Sequence, residues 1–372
     1  KTLYKACNTV TTAGDSIHVK AGTYNETLQC LLSPGVSVGG ADSSLSIITS
    51  TLTAAFTPII YAGSAQGTNG NQRISGLKFI GNYTCQMAIV IGGRSNVHIY
   101  NCRFYTFNDR GVVFSGRGDW GDGAPSTYSS GNKFYNNFIY DCARSDASYG
   151  RGNLETGGQI GLEIYNDTII QPARASNLSG YCIKNVNQGF LKGMKIYNCY
   201  LEVPPYPYST SPTNNHWSFA TEFSDISGLE YHHNRVLGSA DQNHTYPDSA
   251  NGYNFGAWYH HNKFGFNTLL ANPVEGVIFE YHCKEVTVDS NEFKNTTIVV
   301  YFTPRPGSQI RNLTVSNNYC PNVGSSSAGN YAQGIKINTS QPPLIAYRWK
   351  IFNNTFIANS TVPPDYGIDI PP

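Results

Sequence analysis

Three ionisable side chains, Glu155, Lys184 and Glu222, recur at matching distances ahead of a repeated strand pattern. Glu155 lies nine residues before Ile164 and Glu222 nine before Tyr231, while Lys184 fits the intervening copy if its turn is three residues longer. Neighbouring strands lie about 4.8 Å apart, so the two carboxylates would be roughly 9–10 Å apart with the ammonium between them. The spacing therefore predicts an exposed column of alternating charge.

Such a column suits two kinds of carbohydrate chemistry. In a glycosidase one glutamate would protonate the leaving oxygen while the other activates water, and the separation is near the upper end of the inverting range. In a polysaccharide lyase Lys184, helped by Arg151 or a tyrosine, would neutralise a uronate carboxylate and remove the adjacent proton. Flanking carboxylates raise the pKa of a lysine, which counts against Lys184 as the base. The third interpretation is a charge ladder whose members only neutralise one another.

Long insertions follow the repeated strand and could wall a groove beside this column. They span residues 141–152, 171–180, 203–217, 238–254 and 265–275. Because each interrupts the same turn, we expect all five on one side of the molecule. The candidate substrate-binding residues of these loops are Arg144, Arg151, Tyr206, Tyr208, Trp217 and Tyr246. The alternative is that the loop around Tyr206 is only packed down by its own aromatic rings.

Two histidine pairs, His232 with His233 and His260 with His261, occupy identical places in consecutive copies of the pattern. Stacked imidazoles could bind a metal or act as acid and base, and His232 and His260 are further candidate substrate-binding residues. The other interpretation is that they replace the Tyr-Asn pairs found at these places elsewhere. We predict no metal site at the histidines, and Ca²⁺, held by the acidic loop at residues 115–123, is the single cofactor considered.

All these candidates depend on a short pattern of apolar, polar, Tyr or His, and Asn or His residues. The ten copies span residues 79–84, 99–104, 134–139, 164–169, 196–201, 231–236, 259–264, 288–293, 315–320 and 351–356. They begin 20 to 36 residues apart, which is one three-strand coil plus a loop of variable length. Their alternation has the two-residue period of a strand with one buried face.

Asparagine and glycine mark fixed points of this repeat. The asparagines at one shared place are Asn82, Asn137, Asn234, Asn262, Asn291, Asn318 and Asn354. A glycine three residues ahead of the pattern indicates a turn with positive φ. It occurs at Gly76, Gly161, Gly193, Gly228 and Gly256. We therefore expect a solenoid in which side-chain amides stack from rung to rung.

At this point the chain resembles the pectin-lyase-like β-helix superfamily. Residues 14–26, beginning Gly14-Asp15-Ser16, are similar to a first-coil signature of its secreted members, and residues 34–40 to the second. The resemblance covers about residues 14–357. It implies an all-β, right-handed parallel β-helix of about 10–12 coils with long loops on one side.

The predicted organisation is a single domain over residues 1–372, with N-terminal coils and a cap at 1–45, repeating coils at 74–357 and a tail at 358–372. The superfamily contains lyases, glycosidases, epimerases, phage spikes, adhesins and structural proteins, so the fold implies no single reaction. The Asn-Thr-Asp, Asp-Asp and Gly-His-Gly set of polygalacturonases and the Asp-Pro-His motif of mannuronan epimerases are both absent.

The composition of the chain indicates which binding partners and which cellular location to expect. Charged residues make up 13% of the chain and the net charge is +1, which argues against nucleic-acid binding because that normally needs a clustered basic face. No apolar run is long enough to predict a membrane span. The chain lacks a leader at Lys1 and contains ten Asn-X-Ser/Thr sequons, so we expect a secreted or cell-surface protein.

Nine cysteines leave at least one unpaired. Cys7 with Cys30 and Cys182 with Cys199 are about one rung apart and could form disulfides; the alternative is that the cysteines are small buried stacking residues.

The leading functional hypothesis is cleavage of an extended polysaccharide in a lateral groove. The rival is a non-catalytic glycan-binding, adhesive or structural subunit of an extracellular assembly, which exposed strand ends would let self-associate.

Overall fold

A computed structural model describes residues 2–118, 123–144, 151–172, 180–185, 190–204, 219–244, 256–268, 274–304, 308–324, 333–338, 345–358 and 366–369. It forms two compact units, the first with residues 1–172 and 180–195 and the second with 173–179 and 196–372. The predicted all-β class and the parallel β-helix are confirmed, because strands pair in parallel throughout both units and the described residues contain a single helix, Leu3–Thr9.

In the first unit each coil contributes strands to three faces, which we call the first, second and third face in the order the chain meets them. Strands that belong to, or run through, the first two faces are Ser16–Val19, Cys30–Leu31, Ser37–Gly40, Pro58–Ser75, Met87–Tyr100, Arg110–Ser115, Lys133–Tyr135, Gly152–Gly157, Glu163–Tyr165 and Tyr181–Asn185. Third-face strands are Gly22–Glu26, Ser46–Ser50, Lys78–Ile80, Arg103–Tyr105, Phe138–Tyr140 and Thr168–Ile170. Short strands at one corner are Ser129–Ser130, Gln159–Ile160 and Leu191–Lys192.

The second unit repeats this arrangement, and strand Lys195–Tyr197 crosses the boundary between the units. Its first-face strands are Phe219–Ser224, Ser239–His244, Glu275–Tyr281, Ile298–Thr303, Gln333–Ile337 and Tyr366–Asp369. The remaining strands up to the second face are Ile226–Ser227, Leu229–His232, Ala257–His260, Cys283–Lys284, Val286–Asp289, Gln309–Ser316 and Ile345–Phe352. Third-face strands are Tyr200–Glu202, Arg235–Leu237, Lys263–Phe264, Glu292–Phe293, Tyr319–Val323 and Thr355–Ala358.

Stacked apolar side chains fill the centre of each unit, as the two-residue period predicts. Ile99 pairs with Phe134 and Phe134 with Ile164, and all three are fully buried. In the second unit Tyr231 pairs with Tyr259, whose ring is also fully buried. Burying such side chains in every rung is the main favourable contribution to folding.

Two sharp turns per coil explain the glycines of the repeat and the asparagines that lie just ahead of its buried position. The predicted glycines have positive φ, from 61° at Gly193 to 95° at Gly256. The turn after the second face also has positive φ and is occupied by Asn101, Asn136 and Asn166 in the first unit. Asparagine tolerates this left-handed region better than most side chains do, so the repeat depends on it.

The buried asparagine ladder is confirmed in the second unit. Asn262 Nδ2 donates to Asn291 Oδ1 over 3.0 Å, and Asn262 Oδ1 accepts from both the backbone and the side chain of Asn234. Asn291 continues to Asn318, and Asn318 to Asn354. Each amide thereby satisfies backbone groups of the neighbouring rung that would otherwise be buried without a partner.

One copy of the repeat was placed in the wrong register. Residues 79–84 belong to the third face, since Phe79 pairs with Phe104, and the residue that pairs with Ile99 is Ile74. Asn82 is therefore exposed in a turn with φ of 52° and is not part of the ladder. The alternation of Phe79 resembles that of the second-face strands, because both faces bury every second residue.

The predicted insertion at residues 238–254 is also partly wrong, because Ser239–His244 is a strand of the first face. It pairs with Phe219–Ser224 on one side and Glu275–Tyr281 on the other. Only Ala240 in this strand is apolar, so the alternation that reveals the other strands is missing. Residues 245–255 lie outside the described part of the chain.

The first coil is covered by the helix Leu3–Thr9. Its buried Leu3 and Cys7 face the coil, and Glu26, which is fully buried, accepts hydrogen bonds from the backbone N–H groups of Leu3 and Tyr4 over 2.6 and 3.0 Å. A carboxylate at the N-terminus of a helix satisfies donors that have no partner within the helix. This explains the glutamate that ends the predicted first-coil signature.

All nine cysteines are buried free thiols, so neither expected disulfide is formed. Their sulfur atoms instead pack within the rungs: Cys102 Sγ lies 3.4 Å from the Tyr100 carbonyl oxygen, and Cys199 Sγ lies 3.4 Å from that of Tyr197. They act as small buried stacking residues.

In the described part of the chain no helix is long and apolar enough to cross a membrane.

Candidate functional site

In the first unit the structure brings Glu155 and Lys184 together, since they are paired residues on neighbouring first-face strands. The predicted exposure of this column is wrong for Glu155, whose side chain is only 2% exposed. Lys184 is half-buried, and its Nζ lies 4.3 Å from the centre of the Tyr181 ring. Their catalytic roles remain predictions.

A buried ion cluster explains why Glu155 can be buried. The Arg110 guanidinium bonds Glu155 through Nε and Asp109 through Nη1, and Asp109 also pairs with Arg151 Nε at 3.1 Å. Burial lowers the pKa of Arg110, but the Glu155 and Asp109 carboxylates outweigh it, so this pKa is raised. Burial raises the pKa of Asp109. Charges that neutralise one another in this way can be kept away from water.

Gly152 makes room for the cluster. Its N–H donates to Glu155 Oε1 over 3.0 Å, and a Cβ at this position would lie 3.0 Å from both Glu155 Cγ and Lys184 Cβ. The predicted substrate-binding residue Arg151, which precedes it, is held by Asp109. Arg144 stacks on another ring, with its guanidinium carbon 3.7 Å from the centre of Tyr83.

In the second unit Glu222 has an acidic neighbour that the sequence did not reveal. Glu222 pairs with Asp241 on the next first-face strand, and Asp241 is 2% exposed. Asp241 pairs in turn with Ile278, and Ile278 with Tyr301. Two carboxylates one rung apart, about 4.8 Å at the backbone, suit the shorter of the two separations found in glycosidases.

A third carboxyl group, Glu275, lies on the strand next to Asp241 and is 1% exposed. Burial raises its pKa to about 7, although Lys336 opposes the shift. Burial raises the pKa of Tyr301, and the charge of Glu275 adds a smaller shift in the same direction. The Lys336 Nζ lies 5.6 Å from the centre of the Tyr301 ring. Glu275 lies on the strand that follows Asp241 in the sheet, on the same side of that strand as the buried Val277 and Phe279, and its pKa of about 7 lets it hold or release a proton near neutral pH.

The predicted histidine pairs lie on the second face of the second unit. His232 and His260 stack at 4.8 Å, and both Nε2 atoms lie within 3.9 Å of Glu230 Oε1. Trp258, which is 45% exposed, stacks on His260 at 3.8 Å. Burial and then the charge of His232 lower the pKa of His260 to about 4.

Each histidine pair is joined by a hydrogen bond between Nδ1 atoms, 2.9 Å apart in His232 and His233 and 3.0 Å in His260 and His261. The ring centres are only 5.1 and 5.2 Å apart at right angles, so the two nitrogens face each other directly. No group of three or more potential ligands in the described residues is arranged for a metal.

The histidines take the places of the Tyr-Asn pairs. Tyr197 stacks on His232 at 5.0 Å, as Tyr100 stacks on Tyr135 in the first unit at 4.9 Å. His233 and His261 have the positive φ of the turn asparagines. The remaining predicted substrate-binding residues, Tyr206, Tyr208, Trp217 and Tyr246, lie outside the described residues.

Comparison with solved structures finds the same fold at low sequence identity. The Agl-KA catalytic domain matches with a TM-score of 0.66 and 14% identity over 99% of this chain and 63% of that one. The pre-mature bacteriophage phi29 gene product 12 matches with a TM-score of 0.56 and 13% identity, over 96% of this chain and 55% of that one. A PL6 alginate lyase in complex with a trisaccharide matches with a TM-score of 0.54 and 11% identity, over 99% of this chain and 92% of that one.

The chain thus spans less than two thirds of the first two of these structures. No family model and no curated protein matches its sequence. At 11–14% identity the three matches establish the parallel β-helix, and a function has to be argued from the site.

Proposed function

We propose that this chain is a secreted or cell-surface carbohydrate-active enzyme that hydrolyses a glycosidic bond of an extended polysaccharide. The observation that carries the proposal is the first face of the second unit, where Glu222, Asp241 and Glu275 lie on three successive strands. Glycoside hydrolysis needs one carboxyl group that holds a proton and one that is ionised. Glu275, with its pKa raised to about 7, is the proposed acid.

Glu222 and Asp241 supply the ionised partner. Glu222 and Asp241 lie one rung apart, which is a shorter separation than the one predicted between Glu155 and Glu222. The distance from the acid Glu275 to the ionised partner decides between retention and inversion. Glu155 is buried against Arg110, so its carboxylate is not presented to a substrate. The alginate lyase among the structural matches acts on a polyuronate, which makes elimination the alternative reaction.

The test is a panel of neutral glucans and polyuronates, read for new reducing ends and for the ultraviolet absorbance of an unsaturated uronate. Hydrolysis gives the first signal alone and elimination gives both. Glu275→Gln is expected to lower turnover by about 10² or more, the usual scale for a general acid.

Glu292→Gln is the matched control, since Glu292 is on the third face and pairs with Lys263 at 3.6 Å. Full turnover by Glu275→Gln would refute the assignment of the acid. A parent protein that binds a glycan of the panel and cleaves none would favour the non-catalytic adhesive or structural role.

A further inference from the structure

A polar cleft of about 340 Å³ in the first unit is separate from the ion cluster around Arg110. Its rim carries Asn101, Asn136 and Asn166, with Arg103 and Phe138 beside them. We propose that this cleft binds an extended acidic oligosaccharide, one sugar residue to each coil. The proposal rests on the proposed function for the class of ligand, and it adds a binding surface in the first unit, whereas the proposed catalytic carboxyl groups belong to the second.

The three asparagines form a regular row. They occupy the same turn of three successive coils, with φ of 53°, 55° and 56°, and all three side chains are exposed. The Asn101 N–H donates to the Tyr135 carbonyl and the Asn136 N–H to that of Tyr165, so the backbone of the row is fixed from rung to rung. Among the described residues no side-chain amide of this row is hydrogen-bonded to protein, and each stays available to a ligand.

The contrast with Asn137 shows that the row is not needed for the ladder. Asn137, one residue further along, is buried and donates its amide to the Ile99 carbonyl while accepting from the Cys102 N–H. The buried position is occupied by Cys102, Asn137 and Asp167 in the three coils, and Asn137 and Asp167 accept a backbone hydrogen bond from the neighbouring coil there. The outer asparagine supplies the left-handed turn, for which glycine would serve equally well.

An exposed amide offers two donors and an acceptor, which is the combination that neighbouring sugar hydroxyls can satisfy. Three such amides repeat about every 4.8 Å, a spacing comparable to the advance of an extended glycan per sugar residue. Phe138 is half-buried and gives the cleft an apolar surface for a sugar ring.

The preference for an acidic sugar comes from the third face. Arg103 is exposed and pairs in register with Lys78 and with Phe138. A guanidinium can hold a carboxylate through two parallel hydrogen bonds. Asp42 lies near Arg103, but its carboxylate already accepts hydrogen bonds from Ser44, and Arg103 is the one charged residue among those that line the cleft.

The test measures binding of fluorescent oligogalacturonate and of a neutral glucan oligomer of equal length, both in the Glu275→Gln background so that no cleavage occurs. The variant replaces Asn101, Asn136 and Asn166 with glycine, which keeps the turn and removes the amides. Asn198→Gly with Asn353→Gly is the matched control, because both have the same positive φ, 54° and 53°, and neither lines the cleft.

We expect the triple variant to lose at least about tenfold in affinity for oligogalacturonate, since each lost hydrogen bond is worth about 0.5–1.5 kcal/mol, and the control to bind as the parent does. Arg103→Ala should remove the preference for the acidic over the neutral oligomer. Equal binding by the triple variant, or no binding of either oligomer by the parent, would overturn the proposal. Cleavage that survives Glu275→Gln would refute the proposed acid and leave this binding result intact.

Discussion

The protonation of Glu275 should make the stability of the protein fall as the pH rises. Burial raises its pKa in the folded state from 4.5 to about 7, so between these values the folded protein holds a proton that the unfolded chain has released. The stability that this proton provides is complete below pH 4.5 and lost as the pH rises through about 7. A difference of about 2.5 pKa units corresponds to about 3 kcal/mol between pH 4.5 and pH 8.

The comparison with Glu275→Gln isolates this contribution, because glutamine has nearly the shape of the protonated acid and does not titrate. Urea unfolding should give similar free energies of unfolding for parent and variant at pH 4.5. At pH 8 the variant should be more stable by about 3 kcal/mol. Other titrating groups cancel in the difference, so a constant difference between the two proteins across this range would show that Glu275 is ionised when folded, and the acid would have to be sought elsewhere.

Three further outcomes follow from the described contacts. Asn262→Ala should lower the free energy of unfolding by about 2–4 kcal/mol in urea, since it leaves the buried donors of Asn234 and the buried acceptors of Tyr231 and Asn291 without this partner, whereas Asn354→Ala, at a half-buried position, should cost less. Arg110→Met should cost about 3–5 kcal/mol by stranding two buried carboxylates, and adding Glu155→Leu should recover part of it in a double-mutant cycle. Because the pKa of His260 is lowered to about 4, the contribution of this residue to stability should fall as the pH drops below 6.5, opposite in sign to that of Glu275. Thermal melts at pH 4.5 and 7 should therefore show a more favourable change on acidification for His260→Tyr than for the parent.

The repeat could be predicted because its physical demands leave residues that are easily recognised. A left-handed turn needs glycine or asparagine, and a buried amide ladder needs asparagine at one place in each rung. Asn262 and Gly256 were correctly placed for these reasons. The exception, Asn82, lies in the turn after a third-face strand with the same alternation, and alternation alone does not distinguish the second face from the third.

The site was harder to predict, because the first face does not show its register in the sequence. Ser239–His244 has one apolar residue, so its pattern predicts a loop and does not reveal that Asp241 pairs with the predicted Glu222. Glu275 is the last residue of the predicted insertion at 265–275, yet it begins a first-face strand. The burial of Glu155 depends on Arg110, a residue 45 positions away that belongs to the preceding first-face strand.

Outward-pointing side chains that only maintain the repeat can be distinguished from candidate functional side chains by whether they stay the same from coil to coil. On the second face the outward residues repeat as stacked rings, Tyr100 with Tyr135 and His232 with His260, and shape alone accounts for them. On the first face of the second unit the outward residues change from Glu222 to Asp241 to Ile278 and Tyr301, and no stack is formed. Burying an acidic side chain costs free energy that a repeat does not require, so the side chains that stacking does not explain are the ones to test for function.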